Sequence, residues 1–514
     1  MFKKYLNFWV VLSLSLLVFF FVFLHWNSFN APFERDEGHY AYGAWIMTKG
    51  LVPYVNTFEQ KPPMIFYPYL LAGLINPDAF WPPRLIAALS LAFTLLLLGL
   101  IVGREYGRRA GWITVWLALP MIMFPHLRPF AANTEKFLIL PLVGTLAIYV
   151  FYRQSPSRWP WFWAGVCGMM AILFKQIAIL PVLFIFLIWV MERKDIRGGL
   201  SALGGSIATF FLVTGYFFAR GGLPGFWEQT IEFNKYYAMS YGGGLTLRWL
   251  PAHFQVFFTA WEALFALFVW CLIKRPRRWW FYLGLMFAAL LTIFSSPESH
   301  YFIMLMPFWA IVSAVSLDSF IDQIIEIIKK PKWQGTVAFT LVFVVVFSIF
   351  WPVSRFYLNS PNEIVHRLYG DLNPFIEAPI VAKRVVELAS PADCVFIAGS
   401  ELEILYYAKR LSLSRFTIMY ALMMEHPRTL IYQKELVRNL EEHPPKAMVV
   451  VRSPLSWMRR NSSPKLVFER LERLLTRYDL IGGTVRVGSK AFWVEPMKRD
   501  LIRENSVLLF KRRD

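Results

Sequence analysis

The chain reads as a polytopic α-helical membrane protein: a bundle of about eleven spanning helices followed by a C-terminal extracytoplasmic α/β domain. Three observations predict this. Apolar runs recur through the first 354 residues, basic residues fill every second loop between them, and charge density becomes ordinary only after residue 355.

Composition sets the frame. Of 514 residues, 57% are hydrophobic, 18% aromatic and 17% charged, whereas a soluble domain carries about a quarter charged residues. The deficit is confined to one part, so the chain divides into a membrane module, residues 1–354, and a soluble domain, residues 355–514. The formal charge of +19 does not point to nucleic acid, because the basic residues sit in short loops between apolar runs, where they orient helices. Cys167 and Cys271 lie in apolar runs and Cys394 in the soluble part. Their scatter gives neither a metal-site spacing nor a disulfide framework.

The first apolar run, residues 5–26, follows Lys3 and Lys4. It is too long and aromatic for a signal-peptide core and lacks a small-x-small cleavage site, so it reads as an uncleaved first span. Further runs lie near 83–103, 110–125, 135–152, 160–175, 177–191, 200–219, 252–273, 279–295, 301–320 and 335–353. Alternate loops are basic: Lys3 and Lys4; Arg104, Arg108 and Arg109; Arg153 and Arg158; Arg193, Lys194 and Arg197; Lys274, Arg275, Arg277 and Arg278; Lys329, Lys330 and Lys332. The positive-inside rule puts these in the cytoplasm with the N-terminus. The first outer loop (27–82), the outer loop 220–251, the shorter outer connections near 126–134, 175–177 and 296–300, and the C-terminal domain then share the opposite face. The expected setting is a plasma (inner) membrane, bacterial or archaeal, with the lipid bilayer itself as a partner.

In the soluble domain, Cys394–Gly399 and Ala447–Val451 read as short buried strands, preceded by helical stretches at 378–389 and 429–442. Segments around 480–495 and 506–511 read as further, antiparallel strands.

The first outer loop carries the densest chemistry. It reads Pro32-Phe33-Glu34-Arg35-Asp36-Glu37-Gly38-His39-Tyr40-Ala41-Tyr42 and later Phe58-Glu59-Gln60-Lys61-Pro62-Pro63. Acids beside a membrane surface are costly unless solvated, paired or used. Asp36 also has the position of an N-cap for a helix from Glu37 to Thr48 ended by Gly50. A cap and a reactive role are compatible, since a cap fixes where the carboxylate points.

Arg35-Asp36-Glu37-Gly38-His39-Tyr40-Ala41, followed by Glu59-x-Lys61-Pro62-Pro63, resembles the GT-C glycosyltransferases, most closely the branch of protein O-mannosyltransferases and the lipid A aminoarabinose transferase. Asn133-Thr134-Glu135 resembles that family's Thr-acid pair, and Ser299-His300-Tyr301 through Pro307 its aromatic-rich late segment. The likeness covers residues 30–310; the soluble tail matches in placement alone. One departure is that Gln60 separates Glu59 from Lys61, where family members often have Glu-Lys-Pro contiguous.

The resemblance implies a GT-C bundle and an inverting transfer from a polyprenyl-phosphate-linked sugar donor to a glycan, lipid or protein acceptor at the outer face. Such a transfer needs a base for the acceptor and positive charge for the departing phosphate. Asp36 is the candidate base, with Glu37 a neighbour that orients it or raises its pKa. Lys61 is the candidate phosphate ligand, with Glu59, His300, Tyr301, Glu135, Arg128 and Lys175 as further candidate binding residues. Each has a plainer reading: Arg128 as a headgroup anchor, Lys175 as one half of a buried pair, His300 as a helix cap. Some relatives use a divalent ion, for which Asp36, Glu37, Glu59 and Glu135 offer oxygens, but no metal or other cofactor is predicted.

In the outer loop 220–251, the aromatic stretch Phe226–Tyr237 followed by Tyr241-Gly242-Gly243-Gly244 suits an interfacial anchor, a mobile cover, or both. The main alternative function is a transporter or flippase of polyprenyl-linked glycans. Against it stand the absence of a detectable internal repeat and the gathering of polar motifs at one face. An O-antigen polymerase or ligase would place its charges in a late loop instead.

Overall fold

The computed structural model describes residues 2–240, 246–328 and 331–513. The glycine run at Tyr241–Gly244, and Lys329 and Lys330 of the last basic loop, lie outside the described residues. Two compact units are assembled from interleaved stretches of chain. One comprises residues 1–29, 84–212 and 246–359; the other comprises residues 30–83, 213–245 and 360–514.

The first unit is a helical bundle. Its helices fall on the expected apolar runs, among them Trp81–Tyr106, Thr134–Tyr152, Ile196–Ala219, Met306–Ile327 and Pro331–Tyr357. Among the described residues, six helices have the length and apolarity to cross a membrane, and one bent pair makes a possible seventh. The first helix runs from Phe2 to Trp26, and Trp159–Phe174 and Trp279–Ile293 are apolar but shorter. The run 252–273 departs from expectation. It is not one continuous helix but two, Leu250–Ala260 and Glu262–Lys274, bent by 101°. Trp261 leaves helical geometry there (φ −138°, ψ 43°) and buries its ring among Phe124, Phe257 and Trp309. Glu262 opens the second helix directly after the break, but a single charge does not lower the hydropathy of the run enough to divide it.

The second unit is built on a mixed five-stranded sheet. Its strands are β1 (Val395–Ala398), β2 (Ala447–Val451), β3 (Tyr478–Val487), β4 (Lys490–Val494) and β5 (Val507–Arg512), in the order β1-β2-β5-β3-β4. β1 and β2 run parallel and every other pairing is antiparallel. The chain between β1 and β2 includes the helix Thr429–Glu442, as a parallel crossover requires. The helix Ala378–Leu388 precedes β1 and buries Val381, Ala382 and Val385, a spacing that puts them on one face.

Loop residues from the N-terminal half enter this core. Phe58 and Phe233 are fully buried in the same cluster as Phe396, Met419, Tyr432, Leu436 and Met448. The loop at residues 27–82 contributes the helix Arg35–Thr48 and the short apolar helix Phe66–Ile75. The loop at residues 220–251 includes the helix Leu223–Trp227, a π-helical turn over Glu228–Glu232 and the helix Phe233–Ser240. Its Leu223, Trp227, Ile231 and Met239 are exposed, which suits the anchor reading.

Candidate active site

The first helix of the second unit begins in a reciprocal cap. Glu34 is extended (φ −81°, ψ 173°) and its carboxylate accepts the Glu37 N–H at 3.0 Å, while the Glu37 carboxylate accepts the Glu34 N–H at 3.4 Å. The N-cap is therefore Glu34, not Asp36, and Glu37 is buried as its partner in the cap. Asp36 falls in the first turn, where the positive end of the helix dipole favours a carboxylate. Its Oδ1 lies 3.0 Å from Lys61 Nζ. Tyr40, one turn along the same helix face, places its ring centroid 4.8 Å from that ammonium.

The Lys61 loop is held by its backbone. Lys61 N–H donates to Glu59 Oε1 at 2.9 Å and Glu59 N–H donates to Gln229 Oε1 at 2.8 Å. Asn234 Nδ2 donates to the Gln60 carbonyl at 2.5 Å. The extra residue in Glu59-Gln60-Lys61 thus has a defined seat, supplied by Asn234 of the helix Phe233–Ser240. Glu59 and His39 are both buried, with Oε2 and Nε2 3.7 Å apart. Burial pushes the Glu59 carboxyl up to about 7, opposed by the Lys61 charge and two backbone N–H groups. Burial, and then Lys61, pushes His39 down to about 3, so its ring is neutral. Glu34 is pushed up to about 8 by burial and by the neighbouring Asp36 and Glu37 carboxylates.

Arg35 points to the other side of its helix. Its Nη2 donates to Glu401 Oε1 at 2.8 Å and to Asn373 Oδ1 at 3.3 Å. Glu401 in turn accepts from the Ser400 N–H and the Ser456 hydroxyl. Gly38 sits so close to the helix Glu403–Ala408 that a Cβ there would fall 2.4 Å from Glu403 Cβ. The acidic helix is thereby locked onto the C-terminal domain, a contact of |i−j| = 366 for the Arg35–Glu401 bond that no local sequence pattern announces.

The first unit holds the remaining candidates. Glu135 opens the helix Thr134–Tyr152 and accepts the Lys175 ammonium and, at 3.0 Å, the Thr134 hydroxyl. His300 Nε2 lies 3.8 Å from Glu135 Oε1, and His300 Nδ1 lies 3.7 Å from Glu298 Oε2. Arg128 Nη1 reaches that same Glu298 oxygen at 3.1 Å. Lys175 Nζ lies 3.2 Å from the centroid of the Tyr301 ring. So Glu135, His300, Tyr301, Arg128 and Lys175 form one cluster, while Asp36, Glu37, Glu59 and Lys61 belong to the second unit.

The family model described as dolichyl-phosphate-mannose-protein mannosyltransferase matches residues 60–216. No curated protein matches the sequence. In structure the chain is similar to ArnT from Cupriavidus metallidurans bound to undecaprenyl phosphate, with a TM-score of 0.65, 13% identity and 98% of both chains covered. The apo state of that protein gives 0.66 and 14% over the same coverage. The archaeal oligosaccharyltransferase AglB from Archaeoglobus fulgidus, in complex with an inhibitory peptide and a dolichol-phosphate, gives 0.52 and 12% over 99% of this chain and 76% of its own. The fold is that of the GT-C glycosyltransferases.

Within this GT-C fold, the matched stretch takes in Lys61, Arg128, Glu135 and Lys175, and leaves out Asp36, Glu37, His300 and Tyr301. Of the four carboxylates with oxygens to offer an ion, Glu37 is engaged in the cap and Glu135 belongs to the first unit. Among the described residues no three His, Cys, Asp or Glu side chains gather to hold a metal ion. Sequence reasoning passed over Tyr40, His39, Gln229 and Asn234. Tyr40 was within reach, since it follows Asp36 by four residues on a helix; Gln229 and Asn234 were not, because their partners lie some 170 residues away.

Proposed function

We propose that this chain is an inverting glycosyltransferase that moves a sugar from a polyprenyl-phosphate donor to a glycan, lipid or protein acceptor at the outer face of a plasma membrane. Asp36 is the general base and Lys61 binds the lipid phosphate. The observation that carries this reading is the 3.0 Å Asp36–Lys61 pair, in which a carboxylate that reaches solvent meets a lysine held by the backbone of its own loop. The matched mannosyltransferase model and the undecaprenyl phosphate bound by ArnT support a polyprenyl-phosphate donor.

The chemistry follows from the two charges. The donor phosphate takes over the Lys61 ammonium, a point charge suited to a non-planar anion, and frees Asp36 to face the acceptor. Asp36 takes the acceptor proton as the acceptor oxygen or nitrogen bonds to the anomeric carbon. The bond from that carbon to the phosphate oxygen breaks, and the negative charge grows on the departing phosphate beside Lys61. Glu37 holds Asp36 in place through the cap at Glu34.

The test is release of polyprenyl phosphate by the purified full chain. Asp36→Asn keeps the side-chain shape and removes the base, so turnover should fall by roughly 10²- to 10⁴-fold with the protein still folded. Release at the wild-type rate from Asp36→Asn would sink the assignment. Movement of lipid-linked sugar across vesicles without any release would favour the flippase reading.

A further inference from the structure

Tyr54 belongs to no motif, yet three parts of the second unit converge on it. Its hydroxyl donates to the Lys61 carbonyl at 2.7 Å. Its own carbonyl accepts from Gln229 Nε2 at 2.7 Å, and the same Gln229 side chain receives the Glu59 N–H. The ring packs edge-on against Phe66 at 6.2 Å, Phe217 at 5.5 Å and Phe226 at 5.5 Å. These belong to the helix after Lys61, the end of the helix Ile196–Ala219 and the helix after Gly222.

The backbone at this point is unusual. Tyr54 is buried and has φ +72°, in the left-handed region that bulky residues seldom enter. Such strain persists only where the surroundings over-determine it. Gly225 shows how tight the fit is: a Cβ there would lie 2.3 Å from the Tyr54 carbonyl oxygen. A tyrosine needed only to fill space would not require a left-handed backbone and hydrogen bonds at both its carbonyl and its hydroxyl.

We infer that Tyr54 is a positioning residue for the transfer reaction, setting the Lys61 backbone through its hydroxyl and tying it to the helices around Phe66, Phe217 and Phe226. This rests on the assignment of Lys61 to the lipid phosphate. Tyr54 itself touches neither substrate; it acts through where the Lys61 ammonium stands. Burial holds the phenol far above its ordinary titration range, so the hydroxyl keeps the proton it donates.

A double-mutant cycle tests this. Tyr54→Phe removes the hydroxyl and keeps the ring. It should raise KM for a polyprenyl-phosphate-sugar donor by about three- to tenfold, the range one lost neutral hydrogen bond spans. In the Lys61→Ala background the same change should have no further effect, because the residue it acts through is gone. Gln229→Glu, which loses the donor to the Tyr54 carbonyl but still accepts from Glu59, should show the same dependence on Lys61 and serves if Tyr54→Phe fails to fold. An equal loss in both backgrounds, or wild-type KM in Tyr54→Phe, overturns the inference and leaves the Lys61 assignment standing. Wild-type kinetics in Lys61→Ala alone overturns both.

Discussion

Each unit contains a lysine–carboxylate pair, and their surroundings differ. In the second unit, the side chains of Lys61 and Asp36 are 9% and 31% exposed. In the first, those of Lys175 and Glu135 are 6% and 1% exposed, with His300 and Tyr301 against them. A buried ion that loses its partner keeps the cost of leaving water and gains nothing in return. A pair with one member in solvent can exchange that partner for a ligand at little cost. The sequence ranks Lys61 first as phosphate ligand and Lys175 as a secondary candidate; their partners and exposure separate a pair that can open from one that must stay closed.

That contrast can be broken in three ways, taken from the largest effect to the smallest. Lys175→Met should destabilise the protein by about 3–5 kcal/mol, the cost of stranding a buried carboxylate, measured as a fall in thermal unfolding midpoint in detergent. A loss below about 1 kcal/mol would mean that Glu135 finds another partner and that the two pairs are alike. Lys61→Met should do the reverse. Its stability should change by no more than about 1 kcal/mol, while donor turnover falls by roughly a hundredfold, as when a single charge-stabilising donor is removed.

The smallest effect concerns pH. Glu59 titrates near 7 in the folded protein against 4.5 ordinarily. Below pH 4.5 both folded and unfolded chains hold the proton, and Glu59 does not weaken the fold. Between 4.5 and about 7 the unfolded chain releases it first, so the stability associated with Glu59 is lost as pH rises across that window. Glu59→Gln should flatten this part of the stability profile, by less than about 1.4 kcal/mol per pH unit. An unchanged slope would show that Glu59 is ionised throughout. His39 works in the opposite sense. Its folded value of about 3 against 6.5 removes stability as pH falls through that range, so the two contributions can be told apart by direction.

Much of the fold was legible because its signals are local. Apolar runs mark the helices of the first unit, and Ala447–Val451 and 506–511 mark strands that the sheet contains. The 101° break at Trp261 was not read from the sequence, since Glu262 directly after it is a single charge in an otherwise apolar run and does not by itself announce a bend. The cap was misread by two residues. By residue type Asp36 is the better cap, yet the choice falls to Glu34 because Glu37 reaches back to it in a reciprocal pair. Lys61 was singled out from its loop motif, but Gln229 and Tyr54, which hold that loop, have no motif of their own.

By itself the sequence determined that this is a membrane-embedded chain with α/β structure toward its C-terminus, and which acids and bases stand on the loops. Those properties depend on hydropathy and on neighbours within a turn or two, which a linear string records. Tertiary structure alone decided that Phe58 and Phe233 belong to the core of the C-terminal domain, that Arg35 meets Glu401, and that Asp36 faces Lys61 while Glu135 takes Lys175. The physical reason is that a charge or ring is satisfied by whatever packing brings near it, and these partners are separated by 25 to several hundred residues of chain.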